Sequence, residues 1–395
     1  MNITDLPHWK KFSPSDGHYF FGYYDRTSWD YENSLHLALK VAQCERLPLP
    51  GETAEIGVID RNTSEYTGLT TTRTWCHQQG AMTLWLKHLP GCFIYNDLDE
   101  KSGRICAKIY SMKDGVTGSY DRPIYAMSPD GKYGASLNFA RIPRRGYSYA
   151  DAALEPNDVP DMDNDGIFLV EMETGKSELV IPYRKMIDMH PVPYALENSY
   201  IWLNHIIFNS DSSKLLFLLR HSEDKETFCP WYTHMYTANL DGSNLACPLP
   251  HFYWKDMISH QIWGRGPNEI LVDANWRDKG HEYVVFDESS EVFRAELISK
   301  GIGPMSHLVF SPNEKWMLAD TYPQDGIQKL ALVKVETGEL KIIGQFNHRQ
   351  PATYPIDVRC DLHPRWSRDG QTITVDSIDD GKRGIYLTSL KDIKF

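Results

Sequence analysis

The chain has 395 residues, of which 12% are aromatic and 24% charged, and its formal net charge at pH 7 is −12. So acidic a protein is a poor general binder of nucleic acid or of acidic membranes, because phosphate contacts need clustered Lys and Arg. An anionic ligand would have to be held by local Arg residues or by a metal that overcomes the repulsive overall field.

The N-terminus and the cysteines indicate the compartment. The opening residues lack the basic start and apolar stretch of a signal peptide, and no run approaches the ~20 apolar residues of a membrane-spanning helix. The seven cysteines are scattered and show no Cys-x-x-Cys spacing, which is typical of reduced thiols. We therefore expect a cytoplasmic protein, or a periplasmic one if a signal peptide has been removed.

A unit of strand, polar turn and strand recurs along the whole chain. Pro, Asp, Asn and Gly in the turns supply the backbone angles of tight hairpins, and a second hairpin usually follows. Four strands at a spacing of roughly 40–55 residues predict an all-β fold, a seven-bladed β-propeller with four-stranded antiparallel blades, as one domain over residues 1–395. The units begin at Thr27, Leu86, Ile124, His205, His260, His307 and His363.

The two ends of the chain predict how the ring closes. After His363 the last repeat has room for only about three strands, as counted at the usual blade length. The segment from Trp9 to Phe12 precedes the first repeat and could supply the missing outer strand, which would remove exposed sheet edges. A Pro- and Asp-rich insert over about 144–165 is expected to cover one face. The rival interpretation is two packed β-sandwiches.

Four repeats carry a histidine at the same position, four residues before the turn. Equivalent positions of a radial repeat converge on its axis, and several imidazoles together are what a divalent transition metal prefers. We therefore predict one divalent metal (Mn, Zn or Ca) at the axis and no organic cofactor. The alternative is that each imidazole is a hydrogen-bonded core residue that fixes a loop. The four are His205, His260, His307 and His363.

The loops on the same face carry arginines, aromatic residues and amides, which together suit an anionic sugar. Arg pairs bidentately with a carboxylate, and Trp or Tyr stacks on sugar rings. Ordinary solvated loop residues are the alternative. The loop positions are Asn96, Asp97, Arg141, Arg220, His221, Trp276, Arg277 and Tyr322.

Tyr125 and Arg141 form the second chemical candidate. Tyr125 begins the inner strand of the third blade and Arg141 ends the next strand, so antiparallel pairing is expected to bring them together. A Tyr beside an Arg suits β-elimination on a uronic acid. The cation neutralises the carboxylate, and the phenol removes the C5 proton or protonates the leaving oxygen. The alternative is a packed Tyr–Arg stack.

With these residues in view, the chain resembles the propeller-type polysaccharide lyases, which include oligogalacturonate lyase and the ulvan lyases and are related to enzymes that cleave rhamnose–glucuronate. The resemblance covers nearly the whole chain. It is carried by the segments Phe21–Asp25, Trp75–Met82, Tyr125–Gly131, Leu137–Arg141 and Arg359–Ser367.

The resemblance implies a catalytic tyrosine at Tyr125 and a carboxylate-neutralising arginine at Arg141, with an accessory group among His77, Gln78 and Gln79. Substrate contacts are then expected from Tyr24, Gln78, Asn138, Arg220, Trp276 and Tyr322.

Oligogalacturonate lyase uses a divalent metal held by His and Gln near its last blades. His307 and His363 lie in that region, but the closely spaced His-x-His of that enzyme is here Asp361-Leu-His363. Ulvan lyases present catalytic histidines early in the chain, where this sequence has Tyr23, Tyr24 and Asp25.

The sequence thus predicts a lyase that cleaves the glycosidic bond to a uronic acid in an anionic oligosaccharide, without nucleic acid or membrane partners. A glycoside hydrolase on the same scaffold, using carboxylates such as Asp25, Asp97 or Asp379, is one alternative. A non-catalytic propeller that binds sugar or protein is the other.

Overall fold

A computed structural model describes residues 6–152, 159–196, 198–249, 259–275, 280–290, 292–303, 305–351 and 353–395. These residues form seven antiparallel sheets, and the first strands of successive sheets contact one another (for example β10 with β14, and β14 with β17). The sheets are therefore arranged around a common axis with their first strands innermost. This confirms the all-β, seven-bladed propeller expected from the repeats.

The first three blades follow one another along the chain. Blade 1 contains β2 (His18–Phe20), β3 (Leu35–Val41), β4 (Ala54–Asp60) and β5 (Tyr66–Thr72). Blade 2 contains β6 (Leu84–Trp85), β7 (Cys92–Asp99), β8 (Arg104–Ser111) and β9 (Gly115–Tyr120). Blade 3 contains β10 (Ala126–Met127), β11 (Tyr133–Ser136), β12 (Gly166–Glu171) and β13 (Ser177–Pro182).

The remaining four blades complete the ring. Blade 4 contains β14 (Tyr200–Phe208), β15 (Lys214–Ser222) and β16 (Tyr232–Asn239). Blade 5 contains β17 (Ser259–Trp263), β18 (Glu269–Asn275), β19 (His281–Asp287) and β20 (Ala295–Lys300). Blade 6 contains β21 (Leu308–Phe310), β22 (Trp316–Asp320), β23 (Ile327–Lys334) and β24 (Glu339–Asn347). Blade 7 contains β25 (Arg365–Trp366), β26 (Thr372–Ser377), β27 (Gly384–Ser389) and β1 (Lys10–Lys11).

Helical structure is short and lies between strands. The α-helix α1 (Tyr183–Asp188) connects blade 3 to blade 4. Single 3-10 turns cover Phe139–Arg141, Pro193–Leu196, Ile356–Val358 and Leu390–Asp392. Among the described residues, none of the helices has the length and apolar character needed to cross a membrane.

The polar turns that define the repeat share one hydrogen bond. Ser128 Oγ donates to Asp130 Oδ1 at 2.7 Å, and Ser311 Oγ donates to Asn313 Oδ1 at 2.8 Å. In each turn the same side chain also accepts a hydrogen bond from the backbone N–H of the residue two positions further on, as Asp130 does from Lys132. Short polar side chains that bond to their own backbone favour a turn over a continuing strand, which explains why this pattern was visible in the sequence.

Ring closure follows the prediction from the chain ends. β1 pairs antiparallel with β27, with Lys10 opposite Leu387 and Lys11 opposite Tyr386. The indole of Trp9 donates a hydrogen bond of 2.8 Å to the carbonyl of Ile343 in blade 6, which ties the N-terminal segment to the neighbouring blade. The N-terminal segment therefore supplies the outer strand of the last blade.

Blade 4 differs from the four-strand pattern. Its described part has three strands, and an isolated bridge between Thr237 and Ala246 occupies the position where a fourth strand would begin. Within the predicted insert (about 144–165), the structure describes the residues up to 152 and from 159 onward. That residues 153–158 cover one face of the propeller stays a prediction.

Candidate functional site

A cavity of about 590 Å³ lies at one end of the propeller axis. Three chemical classes dominate its wall. The cations are Arg145, Arg220 and Arg359. The aromatic residues are Tyr23, Tyr147, Trp231, Tyr232 and Tyr322. The imidazoles are His205, His234, His260 and His307. This composition suits an anionic ligand with apolar ring faces.

The four histidines that share a repeat position do converge around one point. The ring centroid of Tyr24 lies 4.8 Å from His307, 5.9 Å from His260, 6.2 Å from His363 and 6.3 Å from His205. Tyr24 itself is 1% exposed, so it fills the centre of this ring of imidazoles. The placement agrees with the geometric argument from the repeat.

Backbone irregularities aim these histidines at the axis. The register between β14 and β15 shifts between Asn204 and Ile207, and His205 within that bulge has φ of 59°. A similar shift spans His260 in β17, whose φ is 51°, and His363 has φ of 42° just before β25. A bulge turns a side chain out of the regular alternation, which explains how a residue on an inner strand can face the axis.

Two of these histidines and one carboxylate form a compact group. The ligand atoms of His307, Asp361 and His363 all lie within 4.8 Å of one another, and all three residues are buried. We call this group the axial cluster. Within the described part of the chain, this group contains two of the four histidines predicted as metal ligands, together with Asp361, and His205 and His260 lie outside it.

The tautomers of the axial cluster favour a cation. His363 donates its Nδ1–H to the carbonyl of Gly22 at 2.9 Å, and its Nε2 is buried without a hydrogen-bond partner. His307 Nδ1 bonds both oxygens of Asp320 at 3.0 Å. Imidazoles that donate one N–H to a carbonyl or a carboxylate present the other nitrogen as a lone pair, which is the usual second shell of a metal site.

Asp320 and Arg359 complete the surroundings of the axial cluster. Asp320 also accepts the backbone N–H groups of His307 at 2.7 Å and His363 at 3.2 Å. Arg359 pairs with Asp361 at 2.5 and 2.9 Å. Burial of the Asp361 carboxyl raises its pKa, but the charge and hydrogen bonds of Arg359 outweigh burial and hold that pKa below its ordinary value. The residues present therefore fit a divalent cation bound by two nitrogens and one oxygen.

Tyr125 lies beneath the cavity wall and is fully hydrogen-bonded. Its hydroxyl donates to Asn204 Oδ1 at 2.8 Å and accepts from Gln79 Nε2 at 2.7 Å and from the backbone N–H of His205 at 3.0 Å. The side chain is 0% exposed, and burial raises its phenol pKa. Among the described residues, the cavity lining includes Gln79 and Asn204 but not Tyr125.

Arg141 is directed elsewhere. Its guanidinium donates to the carbonyl of Ile201 at 3.0 and 2.8 Å and stacks 4.6 Å from the ring centroid of Tyr200, on the neighbouring blade. The guanidinium next to Tyr125 is that of Arg26, 5.8 Å from its ring centroid. The strand β11 ends at Ser136, so Arg141 falls in the following 3-10 turn. Antiparallel pairing of β10 with β11 therefore does not place Arg141 beside Tyr125.

The segment that enters blade 2 has divided roles. His77 is buried, bonds the carbonyl of Arg46 at 2.8 Å through Nε2, and has its pKa lowered by burial to about 3. Gln78 lines the cavity and donates to the carbonyl of Arg359 at 3.2 Å. Gln79 also lines it, and its buried Oε1 has no hydrogen-bond partner, so this oxygen is available to a ligand.

The other residues expected to contact substrate divide in the same way. Arg220 and Tyr322 line the cavity, whereas Tyr24 lies beneath it among the imidazoles. Asn138 caps the 3-10 turn of Phe139–Arg141 and donates to Asp165 at 2.9 Å. Trp276 lies outside the described residues.

Several residues of the cavity wall were not among the site residues predicted from the sequence. Arg145 lies 4.4 Å from the ring centroid of Trp231, and Arg359 lies 3.8 Å from that of Tyr322. Arg145 belongs to the insert that was expected over this face, so its position was the available signal. Trp231 follows a cis peptide between Cys229 and Pro230 in the blade 4 loop, and no periodic feature of the sequence marks it.

The carboxylates considered for a hydrolase have partners of their own. Asp25 pairs with Arg26 at 2.8 Å, and Asp97 pairs with Lys108 at 2.5 Å. Asp379 accepts from the backbone and the side chain of Asn347. In the described part of the chain, the carboxylate that borders the cavity is Asp357, which pairs with Arg145.

Neither a family model nor a curated protein matches this sequence. Among solved structures, an oligogalacturonate lyase in complex with manganese has 15% identity and a TM-score of 0.67, with 100% of this chain and 96% of that chain covered. The oligogalacturonate lyase of Vibrio parahaemolyticus has 14% identity and a TM-score of 0.65, covering 97% and 94%. The tricorn protease has 11% identity and a TM-score of 0.52, covering 96% of this chain and 35% of that one. At these identities the likeness shows that the chain has the propeller fold of these proteins.

Proposed function

We propose that this protein is a lyase that cleaves the glycosidic bond to a uronic acid in an oligosaccharide by β-elimination, with a divalent metal at the axial cluster. One observation carries the proposal: one cavity brings arginines and sugar-stacking aromatics together with His307, which is a member of the buried axial cluster. The fold shared with two oligogalacturonate lyases, one of them a manganese complex, supports the substrate class and the metal.

Arg220 is proposed to neutralise the substrate carboxylate. It lines the cavity, and its buried Nε has no hydrogen-bond partner. A guanidinium matches a carboxylate with two parallel hydrogen bonds, which makes the proton on the adjacent carbon more acidic. Tyr147 and Trp231 lie beside this guanidinium, at 5.8 and 5.9 Å from their ring centroids, and offer ring faces for the sugar.

His205 is proposed as the base. Its Nε2–H donates to the carbonyl of Gln261 at 2.7 Å, so Nδ1 carries the lone pair. Burial lowers its pKa to about 4, so the imidazole is neutral at pH 7 and able to accept a proton.

Tyr23 is proposed as the acid. It lines the cavity 5.7 Å from His205 between ring centroids, and burial raises its phenol pKa well above the ordinary value, so the proton is present at pH 7. In the reaction His205 takes the C5 proton, the C4–O bond breaks, the C4=C5 double bond forms, and the leaving oxygen takes the proton of Tyr23. A metal held by His307, Asp361 and His363 would supply positive charge that stabilises the developing anion.

The residues expected from the resemblance receive positioning roles in this proposal. Tyr125 holds the amides of Gln79 and Asn204 toward the cavity through its hydroxyl. Arg141 fixes β14, the strand that carries His205, through the carbonyl of Ile201. His77 supports the blade 2 entry through its bond to Arg46.

The test is incubation of the manganese-loaded protein with uronic-acid oligosaccharides. We expect a near-ultraviolet absorbance from the unsaturated product. We also expect a loss of about 10³-fold in kcat/KM for Arg220→Ala, partly restored in the matched variant Arg220→Lys. Cleavage products without a double bond would indicate a hydrolase, and unchanged rates in Arg220→Ala would reject the assignment of the carboxylate site.

A further inference from the structure

A second group of buried imidazoles lies on blade 4, apart from the axial cluster. The ligand nitrogens of His190, His221 and His234 all lie within 4.8 Å of one another, and each residue is at most 4% exposed. We call this group the blade 4 cluster. We propose that it binds a second divalent transition metal, of the zinc type, through three imidazole nitrogens.

The sheet register explains why two of these residues meet. His221 on β15 is paired with Tyr232, and His234 stands two residues further along β16. Directly paired residues share a face of the sheet, and so do residues two apart on one strand. His221 and His234 are therefore diagonal neighbours on one face of blade 4, where their rings stack with centroids 6.3 Å apart.

His190 reaches the same face from the chain between α1 and β14. The hydroxyl of Tyr236, on the same face as His234, donates to the carbonyl of Met186 in α1, which places the segment after the helix over this face. The ring centroid of His190 lies 4.3 Å from that of His234 and 6.0 Å from that of His221. Histidines from two neighbouring strands and from the segment before β14 thus converge on one point.

The surroundings of His221 favour a cation. On this face Phe217, Leu219 and Tyr236 are buried in an apolar cluster that continues up to the imidazoles. His221 is 2% exposed, its Nδ1 lies 3.4 Å from Ser199 Oγ, and its Nε2 is buried without a hydrogen-bond partner. An unpartnered buried nitrogen is costly in an apolar setting, and coordination to a metal removes that cost.

The hydrogen bonds of His190 describe the metal-free state. The backbone N–H of Val192 donates to His190 Nδ1 at 3.1 Å, so the proton of this neutral ring is on Nε2, 3.1 Å from His234 Nδ1. A metal between these nitrogens takes the place of that proton, which moves to Nδ1 and opens the contact with Val192. Metal uptake therefore includes a local rearrangement of residues 190–192.

The ligand class follows from the donor set. Three neutral imidazoles with an open position suit Zn²⁺, Co²⁺ or Cu²⁺ and not Ca²⁺ or Mg²⁺, which prefer oxygen. His234 also borders the cavity, which gives the ion a route to the site and leaves its open position near the cavity wall. This inference stands independently of the proposed lyase activity.

The test is a titration of the full-length protein, stripped with chelator, with Co²⁺ as a spectroscopic probe. The His363→Ala variant removes a ligand from the axial cluster without offering another, so that the visible absorbance reports on the blade 4 cluster. We expect intense visible bands at about one equivalent of Co²⁺, displaced by Zn²⁺, as for a site of low coordination number. The same background with His221→Gln or His190→Gln is expected to bind at least about 100-fold more weakly.

The matched control is His36→Gln in the same background, because His36 is a buried histidine outside both clusters. It is expected to keep the Co²⁺ bands. Melting temperatures in chelator show whether each variant is folded, and only proteins with an intact blade 4 cluster are expected to melt at a higher temperature after Zn²⁺ is added. Folded His221→Gln and His190→Gln proteins that keep the bands and the shift would overturn the proposal.

Discussion

The axial cluster and the blade 4 cluster contain the same kind of ligand but are assembled differently. The axial histidines occupy equivalent repeat positions, and Asp320 and Gly22 fix their tautomers. The blade 4 histidines meet by cross-strand register and by a connecting segment, and their described partners are neutral. The contrast teaches that a closed repeat builds sites in two ways, by radial equivalence at the axis and by local packing on a blade.

The donor sets lead to different chemistry. The axial cluster includes a carboxylate, Asp361, and carboxylate oxygens suit Mn²⁺, whereas three imidazoles suit Zn²⁺. Because the cavity wall includes His307 from one cluster and His234 from the other, the two clusters border a common space.

The largest effect is expected from His363→Ala. The axial cluster then loses a ligand whose Nε2 is buried without another partner, and kcat is expected to fall about 10³-fold, as for the loss of several kcal/mol of charge stabilisation. Turnover of uronic-acid oligosaccharides with Mn²⁺ present measures it, with His36→Gln as the control for loss of a buried histidine. Full activity in His363→Ala would move the reaction away from the axial cluster.

Acid is expected to destabilise the protein through the buried histidines of both regions. Burial lowers the pKa of His205 to about 4 and, with a smaller contribution from His190, that of His221 to about 4. The unfolded chain binds protons at these residues from about pH 6.5 downward, whereas the folded protein does so only near pH 4. Stability is therefore full above pH 6.5 and is lost as pH falls to 4, by about 3 kcal/mol for each group.

Urea unfolding at pH 7, 5.5 and 4 measures this loss. The matched variant His221→Phe removes one titrating group and is expected to show a smaller decrease between pH 7 and 4 than the unchanged protein. Equal decreases in the two proteins would show that His221 titrates normally in the folded state. Zn²⁺ is expected to enlarge the pH dependence, because protons compete with the metal at the blade 4 cluster.

Repetition is what made the fold predictable from the sequence. The Ser-x-Asp and Ser-x-Asn turns repeat a local hydrogen bond, so the pattern in the sequence is also the cause of the hairpin. The convergence of His205, His260, His307 and His363 followed from the same repetition, since equal positions in a ring face its axis. In the sequence, Asp361 stands where oligogalacturonate lyase has the first histidine of its His-x-His. In the structure, its carboxylate lies close enough to His307 and His363 to bind the same metal.

Features that depend on tertiary packing could not be predicted in the same way. Arg141 lies beyond the end of β11, where strand pairing no longer fixes direction, and Arg26 takes the place beside Tyr125. His190 meets His221 and His234 only because α1 folds over blade 4, and no spacing in the sequence records that contact. The bulges that aim His205 and His260 are likewise set by the sheet and not by a local motif.

A smaller effect is expected from Asp320→Asn, which keeps the shape of the side chain but removes its charge. Asp320 accepts from His307 Nδ1 and from two backbone N–H groups, so the variant should lower the affinity of the axial cluster for Mn²⁺ by about 10- to 100-fold. Saturating Mn²⁺ should restore kcat, and Co²⁺ binding at the blade 4 cluster should not change. A loss of kcat that excess metal does not restore would give Asp320 a direct role in the reaction.

The smallest effect is expected from Tyr125→Phe, which tests the hydrogen bonds that position the cavity wall. The variant leaves Gln79 Nε2, Asn204 Oδ1 and the N–H of His205 without their shared hydroxyl, at a cost of about 1–3 kcal/mol in stability. If Tyr125 only positions these amides, kcat should fall less than about tenfold and KM should rise, whereas Tyr23→Phe should lower kcat by about 100-fold. Steady-state kinetics on both variants distinguish the roles, because a hydroxyl that transfers a proton changes kcat and one that holds the cavity wall changes KM. The reverse ranking would restore the phenol of Tyr125 as the reacting group, and it would require the buried wall of Gln79 and Asn204 to open during turnover.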